Sequence, residues 1–263
     1  MTGSALEFPR FRPRAPWWGP DLQTLRNYFV ARSGGRPRLD GERLHLDLRD
    51  GSGDKLAVLY TPAAGNKSPI VLIHGLTGCE TSMNMARAAV YHHGLGHPIV
   101  RLNLRGAGPS RATCSGDYHA GCSVDLAHAL ESLRETLPEI ARNGIYLSAV
   151  SLGANVMIKF LAEYGQDFSI RAAASVSAPI DLAASARTVM RRRNTLYHHW
   201  LLKRMKIDCG GSELTAAQRW ARFGQFTSST TGSWRRGTAS TGRIITTQRP
   251  RPRNSWRRCR SRR

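Results

Sequence analysis

Ser151 lies in a sequence pattern that is typical of a nucleophilic serine. Residues 145–150 form a short apolar run of strand length, and residues 156–162 follow with the mixed composition of a helix that Gly165 can end. A serine at the corner between such a strand and helix sits on a strained turn with its hydroxyl exposed. A hydroxyl of this kind can attack a carbonyl carbon. The alternative is that Ser151 is an ordinary serine in a turn.

The residues around Ser151 are small at the two positions where this kind of turn requires it. Gly153 follows the serine by two residues, and Ala149 precedes it by two. The strand and helix backbones nearly touch at these positions, and glycine is the usual residue at both. Ala149 therefore departs from the usual pattern by one carbon, which we expect the turn to tolerate.

A second motif, His-Gly-Leu-Thr-Gly at residues 74–78, directly follows the apolar run at 70–73. Acyl transfer needs two N–H groups aimed at the oxyanion that develops during the reaction. One is expected from Leu152, the residue after the serine. The other is expected from the loop after the 70–73 strand, where we select Leu76. The alternative is that residues 74–75 form only a tight exit from the strand.

Both motifs need a scaffold, and the apolar runs predict one made of strands and helices. The predicted strands are residues 42–48, 55–60, 70–73, 99–103 and 145–150, with one more buried strand at 172–176; predicted helices lie at 20–25, 82–92, after Ser123 and after Ser151. We expect Ser123 to cap its helix and Trp17 and Trp18 to pack on the body. Two antiparallel strands followed by alternating strands and helices predict an α/β fold with a mostly parallel, doubly wound sheet.

Composition limits the class of protein. The 263 residues suit one domain with a core of three layers. Five cysteines, an odd number without metal-ligand spacing, indicate free thiols in a reducing compartment and no metal site. The sequence has no apolar run of membrane-spanning length and no signal-peptide core near residue 1, so we expect a cytoplasmic protein.

The C-terminal part differs in composition from the rest of the chain. Residues 223–263 contain eleven arginines and no acidic residue, within a chain of net charge +21. One interpretation is a nucleic-acid-binding tail in which Trp234 and Trp256 stack on bases. We prefer a frameshift near residues 220–226, without a nucleic-acid partner. Back-translation of residues 226–247 with GC-rich codons can give, in a neighbouring frame, a stretch containing aspartates and histidines.

Five stretches in this order resemble the YheT-like branch of the α/β-hydrolase superfamily, which are predicted serine esterases. They are residues 20–24, 74–78, 103–106, 117–121 and 151–155, and the resemblance covers roughly residues 8–222. It implies an α/β-hydrolase domain at 1–222. The composition of the basic residues 223–263 predicts a disordered tail, which we interpret as out of frame. The resemblance also implies that Ser151 is the nucleophile of a Ser–Asp–His triad, that the substrate is a small-molecule or lipid carboxylic ester, and that no cofactor is needed.

The chain departs from this family where the acid and the base should follow the serine. The last acidic residue is Glu213 and the last histidine is His199. Asp181 is more plausible as the cap of the next helix than as the acid, and His119 as a loop hydrogen-bonding residue. We therefore expect impaired catalysis, with His198 or His199 as the remaining candidate bases. A non-catalytic hydrolase-fold protein that binds nucleic acid or anionic lipid is the alternative.

A helical lid is predicted at about 182–210. Its residues 187–206 include seven basic side chains and no acidic one. Six apolar residues approximate one helical face: Val189, Leu196, Tyr197, Trp200, Leu201 and Met205. One interpretation is a cap that packs over the active site, and the other is a basic amphipathic helix that contacts a membrane surface. The oligomeric state does not follow from the sequence.

Overall fold

The computed structural model describes residues 10, 12–13, 15–33, 37–137 and 142–208. The predicted tail at 223–263, the frameshift and Glu213 lie outside these residues and stay predictions. The predicted lid is described up to residue 208.

The described chain forms six strands and six helices. The strands are β1 (Glu42–Asp47), β2 (Lys55–Thr61), β3 (Ile70–Ile73), β4 (Ile99–Leu102), β5 (Ile145–Val150) and β6 (Ile170–Val176). The helices are α1 (Gly19–Ser33), α2 (Met83–Gly94), α3 (Ser123–Thr136), α4 (Leu152–Tyr164), α5 (Leu182–Val189) and α6 (Thr195–Asp208). Every strand predicted from the sequence is present, within two residues at each end.

The strands form a single sheet in the order β1-β2-β4-β3-β5-β6. Strand β2 runs antiparallel to both of its neighbours, and β3, β4, β5 and β6 are mutually parallel. Helices α3 and α4 bury their apolar sides on one face of the sheet, and α2 packs Met85 and Ala89 on the other. The prediction of an α/β fold with a mostly parallel, doubly wound sheet is therefore confirmed.

The parallel arrangement explains why the functional motifs meet. The carboxyl ends of β3, β4 and β5 lie at the same edge of the sheet, because these strands are adjacent and run in one direction. The loop after β3 and the turn after β5 are therefore neighbours in space although more than 70 residues separate them in sequence. Ligand sites of open parallel sheets form at this edge.

The prediction that the 172–176 strand is buried is wrong. From Arg171 onward every residue of β6 is exposed, including Val176 at 49%. The strand pairs only with β5, and no described strand lies on its other side. On the α2 face an open groove of about 330 Å³ runs over Tyr146, Ala172 and Ala174. The apolar run correctly indicates a strand, but its burial depends on neighbours that the described chain does not contain.

Two details at the helix N-termini also differ from the predictions. Helix α1 is longer than the predicted 20–25, and Trp18 before it is 62% exposed instead of packed, whereas Trp17 stacks on Phe29. Cys122, not Ser123, is the N-cap of α3. The Ser123 hydroxyl instead donates to the Glu163 carboxylate of α4 at 2.5 Å, and so connects the two helices on this face of the sheet.

The predicted lid is helical but does not form one continuous helix with one apolar face. A 3₁₀ turn at Arg192–Asn194 separates α5 from α6. Within α6, Leu201 and Met205 are half-buried, whereas Leu196, Tyr197 and Trp200 point outward and are exposed. The apolar residues therefore lie on two sides of α6 and not on the single predicted face.

Candidate active site

The backbone is strained where β5 passes into α4. Ser151 has φ 53° and ψ −123°, a positive-φ conformation that is rare for a residue with a side chain. Such a conformation costs on the order of 1–3 kcal/mol and persists only where the surroundings enforce it. The Ser151 N–H donates to the carbonyl of Val176 on β6 at 2.8 Å, and the Asn155 N–H donates to the Ser151 carbonyl at 3.1 Å. These bonds hold the turn from both sides.

Two glycines allow the loop after β3 to approach this turn closely. A Cβ atom on Gly153 would lie 2.1 Å from the His74 carbonyl oxygen, and one on Gly75 would lie 2.9 Å from the Ser151 Cβ. The same Cβ on Gly75 would lie 3.6 Å from the Ser151 hydroxyl oxygen. The Gly75–Gly78 loop therefore lies directly against Ser151, and residues 75 and 153 have no room for a side chain.

Alanine at position 153 is expected to lower the free energy of unfolding by at least about 3 kcal/mol, because its methyl group would meet backbone atoms that cannot move aside. Gly94 offers a matched control, since a Cβ there meets nothing within 4 Å. Gly94→Ala is expected to be neutral or to stabilise by up to about 1 kcal/mol. Urea unfolding of the two variants measures both effects, and equal midpoints for Gly153→Ala and wild type would contradict the close packing.

The loop after β3 forms a tight turn, and one N–H group in it and one at the start of α4 have no partner among the described residues. The Gly78 N–H closes the turn onto the Gly75 carbonyl at 3.1 Å, and Thr77 adopts φ 56°. The Thr77 N–H donates to the Tyr118 hydroxyl at 2.8 Å. In the part of the chain that the structure describes, neither the Leu76 nor the Leu152 N–H donates to another residue. The Leu152 N–H is one of the unpaired donors of a helix N-terminus.

A buried polar network supports the far end of this loop. Asn103, which is fully buried after β4, accepts from the Glu80 N–H at 2.8 Å and donates to the Glu80 carboxylate at 2.6 Å. Arg43 on β1 pairs with the same carboxylate. Burial alone would raise the pKa of Glu80, but the hydrogen bonds from Arg43 and Asn103 outweigh it and lower the pKa. Glu80 is therefore a charged anchor for the loop.

His74 has a structural place beneath the loop. Its Nε2 accepts from the Leu104 N–H at 3.0 Å, so its Nδ1 carries the proton and donates to the Gly75 carbonyl at 2.7 Å. The ring is buried, and desolvation lowers its pKa to about 4. His74 is therefore neutral near pH 7 and fixes the start of the Gly75–Gly78 loop through both ring nitrogens.

The low pKa of His74 makes stability depend on pH. Below pH about 6.5 the unfolded chain binds a proton at this position that the folded chain does not, so stability is lost on acidification until pH about 4. The full loss is on the order of 3 kcal/mol. Urea unfolding at pH 7.5 and 4.5 should therefore show a smaller pH effect in His74→Gln than in wild type, whereas His45→Gln on exposed β1 should match wild type. An unchanged pH effect in His74→Gln would contradict the assignment.

The model of the alpha/beta hydrolase fold family matches residues 68–212, which is more than half of the chain. The chain belongs to the alpha/beta hydrolase fold family. The matched region contains the Gly75–Gly78 loop, Ser151 and the strands that position them. The predicted resemblance to YheT-like members is also confirmed: "Putative esterase YheT" of Escherichia coli is 30% identical over 171 residues, which are 62% of this chain and 47% of that protein.

One further curated protein and one solved structure are also similar to this chain. A monoacylglycerol lipase of Saccharomyces cerevisiae is 31% identical over 122 residues, 46% of this chain and 26% of the lipase. The Pyrococcus furiosus esterase Pf2001 has the same fold, with a TM-score of 0.50, 20% identity, and coverage of 66% of this chain and 68% of the esterase. The chain thus spans about half or less of the length of these two curated relatives.

Among the residues that the structure describes, no acid or base is hydrogen-bonded to the Ser151 side chain. The Ser151 hydroxyl forms no hydrogen bond with any described residue. Asp181 caps α5 by accepting from the Ala184 N–H at 2.8 Å, which confirms the preferred interpretation of this residue. His199 Nδ1 lies 2.9 Å from the Thr195 carbonyl of its own helix. Neither it nor the half-buried His198 is hydrogen-bonded to Ser151.

His119 and Arg105 also have structural partners. The loop hydrogen bond of His119 was predicted from the sequence, whereas the role of Arg105 was not. His119 Nδ1 accepts from the Gly121 N–H at 3.0 Å, within its own loop. Arg105 donates to three carboxylates, those of Asp50, Asp54 and Asp125, at 2.6–2.9 Å. The hydrogen bonds that Arg105 donates to Asp125, the largest cause, and to Asp50 raise its pKa although burial lowers it. Arg105 therefore connects the β1–β2 turn to the start of α3.

Proposed function

We propose that this chain is a serine hydrolase of carboxylic esters in which Ser151 is the nucleophile. The single observation that carries the proposal is the position of Ser151 on a strained strand-to-helix turn, with the Gly75–Gly78 loop packed against it. Residues strained in this way cluster at functional sites, which supports the assignment of this turn as a nucleophile elbow. The esterase and lipase names of the relatives are in keeping with the same reaction class.

The N–H groups of Leu76 and Leu152 are the proposed oxyanion hole. Both groups lack a partner among the described residues; Leu152 directly follows Ser151, and Leu76 follows Gly75, which packs against the Ser151 side chain. The Tyr118 hydroxyl accepts the next N–H, that of Thr77, so the loop keeps the Leu76 N–H available. Two preorganised donors of this kind stabilise the negative charge that develops on the carbonyl oxygen.

The reaction then has two acyl-transfer steps. The Ser151 oxygen bonds to the ester carbonyl carbon, its proton passes to a base, and the tetrahedral intermediate holds its oxyanion between the two N–H groups. Collapse breaks the bond to the alcohol, which leaves with that proton, and Ser151 keeps the acyl group. Water repeats the sequence and releases the carboxylic acid.

We further propose that this chain performs the reaction poorly. Ser151 has no proton acceptor among the described residues, and no histidine follows His199 in the sequence. Without a positioned base the hydroxyl has the acidity of an ordinary alcohol. The oxyanion donors and substrate binding alone leave a small residual rate.

A panel of p-nitrophenyl compounds tests the substrate class. We expect measurable release of nitrophenol from the acetate and butyrate esters, no nitrophenol above background from the phosphate, and no nitroaniline above background from the p-nitroanilide of the same acyl group. The reason is that the two proposed donors fit a carbonyl oxygen, and that an activated ester is the easier acyl donor. Hydrolysis of the phosphate in preference to the esters would contradict the proposal.

A further inference from the structure

Helix α6 exposes three apolar residues in one row on its outer side, with Lys203 between the second and the third. Leu196, Trp200 and Ile207 are 88%, 46% and 59% exposed, and their spacing of four and seven residues places them in one row along the helix. We call these three residues the outer stripe. The opposite side of α6 carries the half-buried Leu201, Leu202 and Met205. The outer stripe is therefore additional to the apolar side that faces the protein.

A helix that is apolar on two sides is expected to be covered on both. The inner side of α6 is partly covered, but the outer stripe meets solvent in the described structure. It continues into Tyr197, which is 45% exposed and whose ring stacks on that of Trp200 at a centroid distance of 6.0 Å. Contiguous apolar surface of this kind marks an interaction site.

The charge around the outer stripe indicates what covers it. Lys203 and Arg204 are exposed on α6 between Trp200 and Ile207. The stretch 187–206 contains no acidic residue, and the one acid of α6 is Asp208 at its C-terminal end, next to Ile207. Within that stretch Arg193 pairs with a distant acid, Asp21 of α1, at 2.9 Å. Exposed apolar and aromatic side chains among exposed basic ones fit a surface with anionic headgroups above an apolar layer.

We propose that the outer stripe of α6 and the basic residues beside it bind an anionic lipid surface. The described helices include none that is long and apolar enough to cross a membrane, so the contact is one of lying on the surface. The apolar side chains would enter the headgroup boundary while Lys203 and Arg204 pair with lipid phosphates. This proposal goes beyond the proposed function, because it needs no reaction at Ser151.

Vesicle binding by the full chain tests the proposal. The probe is phosphatidylcholine vesicles with or without phosphatidylglycerol, at raised salt to weaken binding through the arginine-rich residues 223–263. We expect the Leu196→Ser/Trp200→Ser double variant to bind the anionic vesicles roughly tenfold or more weakly than wild type. The matched control is Val90→Ser/Tyr91→Ser, two exposed residues of α2, which should bind within about twofold of wild type. Binding of the stripe variant equal to wild type would overturn the proposal.

Two further measurements distinguish lipid contact from contact with a second copy of the chain. Vesicles of brominated phosphatidylcholine and phosphatidylglycerol should quench part of the tryptophan fluorescence, and Trp200→Phe should remove that part; quenching unchanged by Trp200→Phe would contradict insertion of α6.

Light scattering without lipid should give the same mass for wild type and the stripe variant. A wild-type dimer that the variant makes monomeric would mean that a second copy covers the stripe, which would also overturn the proposal. Ser151→Ala should bind vesicles as wild type does, so failure here is independent of failure of the esterase proposal.

Discussion

Alanine in place of Ser151 is expected to lower the hydrolysis of p-nitrophenyl butyrate by at least about 10⁴-fold in a chain that carries a working base. Removal of the nucleophile of a triad eliminates most of the chemical rate enhancement, and only the rate due to the oxyanion donors and binding remains. The measurement is kcat/KM for the two chains at equal soluble concentration.

Ser175 supplies the control for this comparison. It lies on β6, in the strand beside the turn, and its hydroxyl bonds to no described residue. Ser175→Ala removes only that hydroxyl and should keep kcat/KM within about twofold. Wild-type turnover by the Ser151→Ala chain would show that another group attacks the ester, and would remove the basis for the oxyanion assignment of Leu76 and Leu152.

The second large effect on ester hydrolysis is expected from restoring the reading frame after about residue 220. A chain whose codons after about residue 220 are read in the neighbouring frame should hydrolyse the same ester about 10²–10⁴ times faster than the chain with its present sequence, which is the contribution of a positioned general base. The present chain should also be more prone to aggregate, because β6 is an exposed edge strand with no described neighbour beyond it.

Equal esterase rates in the two chains would contradict this account of the tail. A histidine already present would then complete the site, and His198 and His199 on α6 would be the first to replace by glutamine. The DNA around codons 215–230, read in all frames, checks the frameshift without any assay.

The parts of the fold that follow from local patterns could be predicted. The runs at 70–73 and 145–150 are apolar and of strand length, which favours buried strands. The structure has them as β3, which is buried throughout, and β5, which is buried at alternate residues. The turn at Ser151 is predictable because Ala149 and Gly153 are small, which is a requirement of backbone contact. Once the sheet is parallel, proximity of the loop after β3 to that turn follows from topology.

The other features of the site depend on contacts between residues far apart in sequence, which local patterns do not predict. Tyr118 holds the Thr77 N–H from a loop 41 residues away, and Asn103 holds Glu80 across 23 residues. Both belong to stretches that carry the family resemblance, which by itself gives them no role. The burial of β6 is mispredicted because a contact is missing. Its apolar residues are typical of a strand with neighbours on both sides, and the described chain has a neighbour on one side only.

The proposal that Ser151 is the nucleophile is tested most directly by reaction with a fluorophosphonate, followed by proteolysis and mass spectrometry of the modified peptide. The reagent forms a covalent bond with an activated serine and needs no turnover, so it can report on a chain with weak catalysis. We expect slow modification of this chain, confined to the peptide containing Ser151, and faster modification of the same residue in the frame-restored chain. Modification of a different serine, or none in the frame-restored chain, would contradict the assignment.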